Sequence, residues 1–97
     1  MWLARLDEVR PVVVLTRDPL GALLPGVIAA PVTSTIRGLS TEVALGAEDG
    51  LRVDSVANLD NVQLVARSRL VRRVGRARAS TMRSICRALA IAVGCDR

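Results

Sequence analysis

The order of apolar patterns in this chain predicts an α+β domain: a strongly bent antiparallel β-sheet completed by one C-terminal α-helix. Three observations lead to that class. Short β-branched or alternating apolar segments recur through the first three quarters of the chain, broken by Gly, Pro, Asn and Asp signals. A single apolar stripe at helical spacing follows them. The chain has 97 residues, room for one modest core and therefore for one domain, 1–97.

Taken in order, residues 10–16 (RPVVVLT) read as a central strand. A continuous β-branched run suits burial on both faces, with Pro11 near the strand start. Residues 18–26 connect, and residues 27–33 form another apolar strand. Pro31 lacks an N–H, so an edge or bulge is expected just before Thr33. After a loop containing Gly38, residues 42–45 alternate as a half-buried strand does. Glu48-Asp49-Gly50 is a turn signal, strands follow at 51–57 and 61–65 around an Asn58-Leu59-Asp60 bend, and 70–74 hold a short strand. Ser80 is the expected N-cap of the helix and Gly94 its stop. Met82, Ile85, Cys86, Leu89 and Val93 form the expected core stripe, with Arg83 and Arg87 on the solvated side.

Composition removes whole mechanisms. There is no His, Phe or Tyr, and all 14 basic residues are Arg. Imidazole acid–base work, Ser-His-Asp triads and lysine nucleophiles are thereby excluded. Cys86 and Cys95 alone do not furnish a zinc site, so no metal or other cofactor is expected. The longest run free of charge, residues 19–36, is broken by three prolines and two glycines, so a membrane span is not expected, nor is a signal peptide. A reducing, cytoplasmic setting is the expectation, with Cys86 and Cys95 as buried thiols rather than a disulfide. Residues 1–60 carry five Arg and eight acids; residues 61–95 carry eight Arg and no acid. That second half is the footprint expected for an anionic partner, or a solvated face of an Arg-rich protein.

Arg10-Pro11-Val12-Val13-Val14, then Ala30-Pro31-Val32-Thr33-Ser34, then Asp54-Ser55-Val56 with Asp60-Asn61-Val62, then Arg73-Val74-Gly75 and the final helix form an ordered set. Together they resemble the MazF/PemK family of toxin ribonucleases across nearly the whole chain. The resemblance implies an SH3-like small barrel of the kind shared with the CcdB group. Family members often carry a longer first loop with G-S-E-Q-x-G, whereas here residues 3–9 alone join Trp2 to Arg10.

The resemblance implies the toxin of a type II toxin–antitoxin module. Its activity would be sequence-specific, metal-independent cleavage of single-stranded RNA by 2′-hydroxyl attack, halting translation. Arg10 and Thr33 are then the expected catalytic pair: a permanently charged planar fork for the phosphate and a hydroxyl donor. Ser34, Thr35, Arg17, Arg37, Asp60 and Asn61 are the expected RNA contacts, although each also reads as a turn former or a solvated loop residue. A homodimer is implied, as is a cognate antitoxin whose acidic C-terminal segment meets the basic half. Two other readings stay open: a CcdB-like gyrase poison without ribonuclease activity, and a catalytically weak homologue that sequesters antitoxin.

Overall fold

The computed structural model describes residues 1–16 and 24–95. Its strands are β1 (Trp2–Arg5), β2 (Val9–Val14), β3 (Gly26–Thr33), β4 (Glu42–Leu45), β5 (Ser55–Asn58), β6 (Gln63–Ala66) and β7 (Leu70–Arg73). One helix, α1 (Ala79–Val93), follows. Hydrogen bonding orders the strands β4-β5-β3-β2-β1-β7, with β6 also on β3, and every pairing is antiparallel. Three short 3₁₀ turns, Ala47–Asp49, Leu59–Asn61 and Arg67–Arg69, join the later strands. No helix among the described residues is long and apolar enough to cross a membrane.

The sheet bends because β3 changes partners. Its first half pairs with β6 from Gly26↔Ala66 to Ala29↔Gln63, and its end pairs with β5 at Val32↔Ala57 and Thr33↔Val56. Ala30 and Pro31 fall between those two ladders. Pro31 therefore sits where no amide is required on that side, which is how a proline is tolerated within an interior strand. The expected edge or bulge is replaced by this exchange. The recorded register shift lies instead between Leu3 and Ala4, where β1 meets β7.

Two small cores result. Val13, Ala30 and Val32 join Met1, Val43, Leu45, Ala57, Leu59, Ile85 and Ala88 beneath the helix. Val12, Val27, Ala29, Ala4 and Val65 form the other, against half-buried Trp2 and Leu70. Adjacent residues of β2 thus enter opposite cores, which accounts for its unbroken apolar run. The ladder itself ends at Val14, two residues before the expected end.

Helix α1 packs on β4 and on the Leu59–Asn61 turn. Its buried residues are Thr81, Ile85 and Ala88, flanked by half-buried Met82, Leu89 and Ala92. Cys86 and Val93, expected in the stripe, are exposed. Both thiols are free and exposed, not buried. At about 100° per residue, Cys86 lies around the helix from the Thr81–Ile85–Ala88 face. Gly94 closes the helix in the left-handed conformation (φ 74°), as expected at that position.

Ser80 is not the N-cap. The helix begins at Ala79, and its cap, Arg78, two residues before Ser80, makes no capping side-chain bond. The buried Asp49 carboxylate does that work from another part of the chain. Its Oδ1 accepts from the Arg78 amide (3.0 Å) and the Thr81 hydroxyl (3.1 Å), and its Oδ2 accepts from the Gly46 amide (3.3 Å). Gly75 permits the approach: a Cβ there would lie 2.5 Å from the Asp49 carbonyl oxygen.

Burial pushes the Asp49 carboxyl up, but the amides of Arg78 and Gly46, the Thr81 hydroxyl and the Arg78 charge together hold it below its ordinary value of 3.8. A depressed folded-state pKa stabilises the protein above the unfolded value, and the gain disappears as pH falls through the folded one. Resistance to urea unfolding should therefore fall progressively below about pH 4. Asp49→Asn should cost about 1–3 kcal/mol at neutral pH and flatten that acid limb.

Candidate active site

The β2–β3 ladder runs over Val12↔Pro31, Val13↔Ala30 and Val14↔Ala29; extended two residues outward, the same register would set Arg10 across from Thr33. Their separation of 23 positions matches that register. Both residues line one cleft of about 580 Å³. The β1–β2 turn adds Leu6 and Asp7, the loop after β3 adds Arg37, and the stretch from the end of β5 to the start of β6 adds Asn58, Asp60, Asn61, Val62 and Gln63. Five of the eight expected site residues therefore meet in this cleft: Arg10, Thr33, Arg37, Asp60 and Asn61.

Arg10 is two-fifths exposed and held by its own turn. Nε donates to Asp7 Oδ1 (3.2 Å) and Nη2 to Glu8 Oε1 (2.7 Å). The connection from β1 to β2 is only residues 6–8, so these acids are brought to the guanidinium by the hairpin itself. The Glu8 amide and then the Arg10 side chain hold the Asp7 carboxyl below its ordinary value. Both carboxylates are mostly exposed, so the pairs are weak and easily exchanged. Carboxylate oxygens here occupy the fork that phosphate oxygens would also fit.

Thr33 ends β3, and its Oγ1 accepts from the Thr35 amide (3.1 Å). That bond leaves the hydroxyl proton free to donate to a ligand. Ser34 and Thr35 are exposed in the loop beyond but do not line the cleft with Arg10; Thr35 meets the site through its backbone. Arg17 lies outside the described residues.

Asp60 is fixed from two directions. Its amide donates to Asn58 Oδ1 (3.0 Å), and its Oδ2 accepts from the Thr41 hydroxyl. Asn58 and Thr41 are buried. The Leu59 amide also donates to the Thr41 carbonyl (2.9 Å). Asp60 and Asn61 are thereby presented as exposed polar edges on a rigid turn, a disposition suited to reading a base.

Sequence reasoning missed Asp7 and Glu8 as partners of Arg10, although acids two and three residues before an Arg are a readable signal. It also missed Thr41, whose partners lie 18 and 19 residues away, and Gln63, which stands two residues beyond the Asp60-Asn61 pair and carried no signal.

A sequence model of the family described as PemK-like, MazF-like toxin of type II toxin–antitoxin system matches residues 2–93. The probable endoribonuclease MazF5 of Mycobacterium tuberculosis is 44% identical over 100 residues, spanning 100% of this chain and 92% of that protein. The solved structure of Mycobacterium tuberculosis toxin MazF-mt6 superposes with a TM-score of 0.92 at 39% identity, covering 96% of this chain and 94% of that one. An endoribonuclease from a mycobacterial species, solved in complex with its cognate antitoxin, superposes with a TM-score of 0.87 at 29% identity, covering 96% and 89%.

Glu8→Gln should leave the urea midpoint unchanged within error, because its bond is exposed and exchangeable. Thr41→Val removes a partly buried donor and should lower unfolding free energy by about 1–2 kcal/mol. Equal effects of the two substitutions would contradict this division.

Proposed function

The chain belongs to the PemK-like, MazF-like family of type II toxins, and on that premise we propose that it is a toxin endoribonuclease that inhibits translation in the cytoplasm. Its substrate is single-stranded RNA cut at a short sequence. The observation that supports this reading is that Arg10 of β2 and Thr33 of β3 line the same cleft. Relatives named as endoribonucleases favour RNA cleavage over gyrase poisoning or antitoxin sequestration.

The proposed chemistry follows from what those side chains can do. RNA enters and its phosphate replaces the Asp7 and Glu8 carboxylates on the Arg10 fork. The 2′-hydroxyl attacks the adjacent phosphorus, and negative charge builds on the non-bridging oxygens. Arg10 acts by stabilising that charge with its guanidinium. Thr33 donates its hydroxyl proton as a hydrogen bond to the same phosphoryl group. The P–O5′ bond then breaks; the 2′-hydroxyl proton is released to solvent and the leaving 5′ oxygen takes a proton from solvent, giving a 2′,3′-cyclic phosphate and a 5′-hydroxyl with no net proton change. No water molecule is consumed, and no step requires a metal ion. Arg37, Asp60 and Asn61 hold the neighbouring nucleotides, Arg37 by its charge and the other two by hydrogen bonds to base edges.

The partner proposed is a cognate antitoxin whose acidic C-terminal segment competes for the same fork, a competition already enacted by Asp7 and Glu8. A homodimer is proposed as the working unit, on family membership.

Purified protein should cut a long RNA at discrete sites in EDTA, leaving cyclic-phosphate ends. Arg10→Ala should slow cleavage by about 10³ or more, and Thr33→Val by about 10². Intact RNA, or an Arg10→Ala protein as fast as the unaltered one, would contradict the reading.

A further inference from the structure

We propose that Glu42 is a positioning residue for RNA binding, acting through the loop that carries Arg37. This rests on the endoribonuclease reading and extends it to a residue outside the cleft lining. Glu42 begins β4, and its side chain is only 2% exposed. Its Oε1 accepts from three successive amides: Arg37 (3.1 Å), Gly38 (2.8 Å) and Leu39 (3.1 Å). Three consecutive N–H groups converging on one oxygen form an anion nest, here filled by the protein's own carboxylate. The second oxygen, Oε2, is buried without a hydrogen bond, and its nearest cation is Arg37 Nε at 3.8 Å.

This arrangement does more than tether a loop. The nest fixes the backbone of residue 37, while the unsatisfied oxygen draws the base of the Arg37 guanidinium inward. The remaining guanidinium N–H groups stay outside, and the Arg37 side chain is 57% exposed on the cleft. Arg37 is thus pre-oriented for an anion without its positive charge being cancelled by a hydrogen-bonded carboxylate, unlike Arg10. Ordering a long side chain before the ligand arrives reduces the entropy lost on binding.

Glu42→Gln tests this directly. The amide keeps an acceptor for the nest but removes the charge and sets an NH₂ group toward Arg37 when its oxygen faces the amides. KM for cleavage of a long single-stranded RNA should rise about three- to tenfold, with kcat unchanged. The slope of log KM against log salt should flatten by about 0.7, the signature of one lost phosphate contact on a single strand. Arg37→Ala should give the same changes, and Glu42→Gln should add nothing in the Arg37→Ala background. Gly38→Ala serves as a second variant that spares the buried carboxylate: Gly38 has φ +76°, and a Cβ there would meet nothing within 4 Å. It strains the loop from the solvent side and should also raise KM and flatten the slope.

A folded Glu42→Gln protein with unaltered KM and salt slope overturns the proposal, as does a Gly38→Ala protein at both unaltered values. Multiplying effects in the double variant overturn it too. Unaltered KM in Arg37→Ala removes Arg37 from RNA binding and overturns this proposal alone, leaving cleavage by Arg10 and Thr33 standing. Uncut RNA with the unaltered protein overturns the proposed function itself.

Discussion

The structure depends on one strand serving three neighbours. Strand β3 holds β2 along one side, while along the other it holds β6 first and β5 afterwards. The exchange at Ala30 and Pro31 bends the sheet, divides the core in two and leaves Thr33 at the end of the strand, over the cleft. The same β2–β3 register fixes where Arg10 must lie. Slipping that register by one residue would reverse which residues of β2 face each core and would separate Arg10 from Thr33. Fold and candidate chemistry therefore share a single constraint.

Around this frame, several acids act as internal clamps. Asp49 caps the helix, Glu42 gathers the amides of residues 37–39, and Asp60 is tied to Thr41 beneath the cleft floor. The Glu42 and Asp49 side chains are almost wholly buried. The first 60 residues look acidic when counted along the chain, but two of their eight carboxylates face inward. The surface presented to a partner is therefore more positive than the linear count suggests, which favours encounter with a polyanion. Asp7 and Glu8 are the contrasting case: exposed, weakly bound, and placed where a phosphate can displace them.

Much of the fold was legible because its signals are local. The β-branched runs marked β2 and β3, alternation marked β4, and Gly94 marked the helix end. The Arg10–Thr33 gap was legible as a motif, and the register explains why that gap is fixed. What escaped were relations between distant segments. Asp49 meets Thr81 from 32 residues away, so no local pattern could displace Ser80 as the expected cap. The helix stripe shifted from Cys86 and Val93 toward Thr81 and Ala88 because the face is chosen by β4 and the Leu59–Asn61 turn. A threonine and an alanine carry little weight in a hydrophobicity pattern, yet they sit where the backbones approach. Pro31 was correctly read as interrupting a ladder, but only the sheet topology shows that the interruption is a change of partner.

The central claim is that Arg10 and Thr33 act on one phosphoryl group because β2 and β3 place them together. A double-mutant cycle on kcat/KM for RNA cleavage measures that coupling most directly. If the claim holds, adding Thr33→Val to Arg10→Ala costs little beyond Arg10→Ala alone, because the hydroxyl's contribution depends on a phosphate that Arg10 holds. Rate losses that multiply in full would contradict it, leaving two residues that share a cleft but work independently.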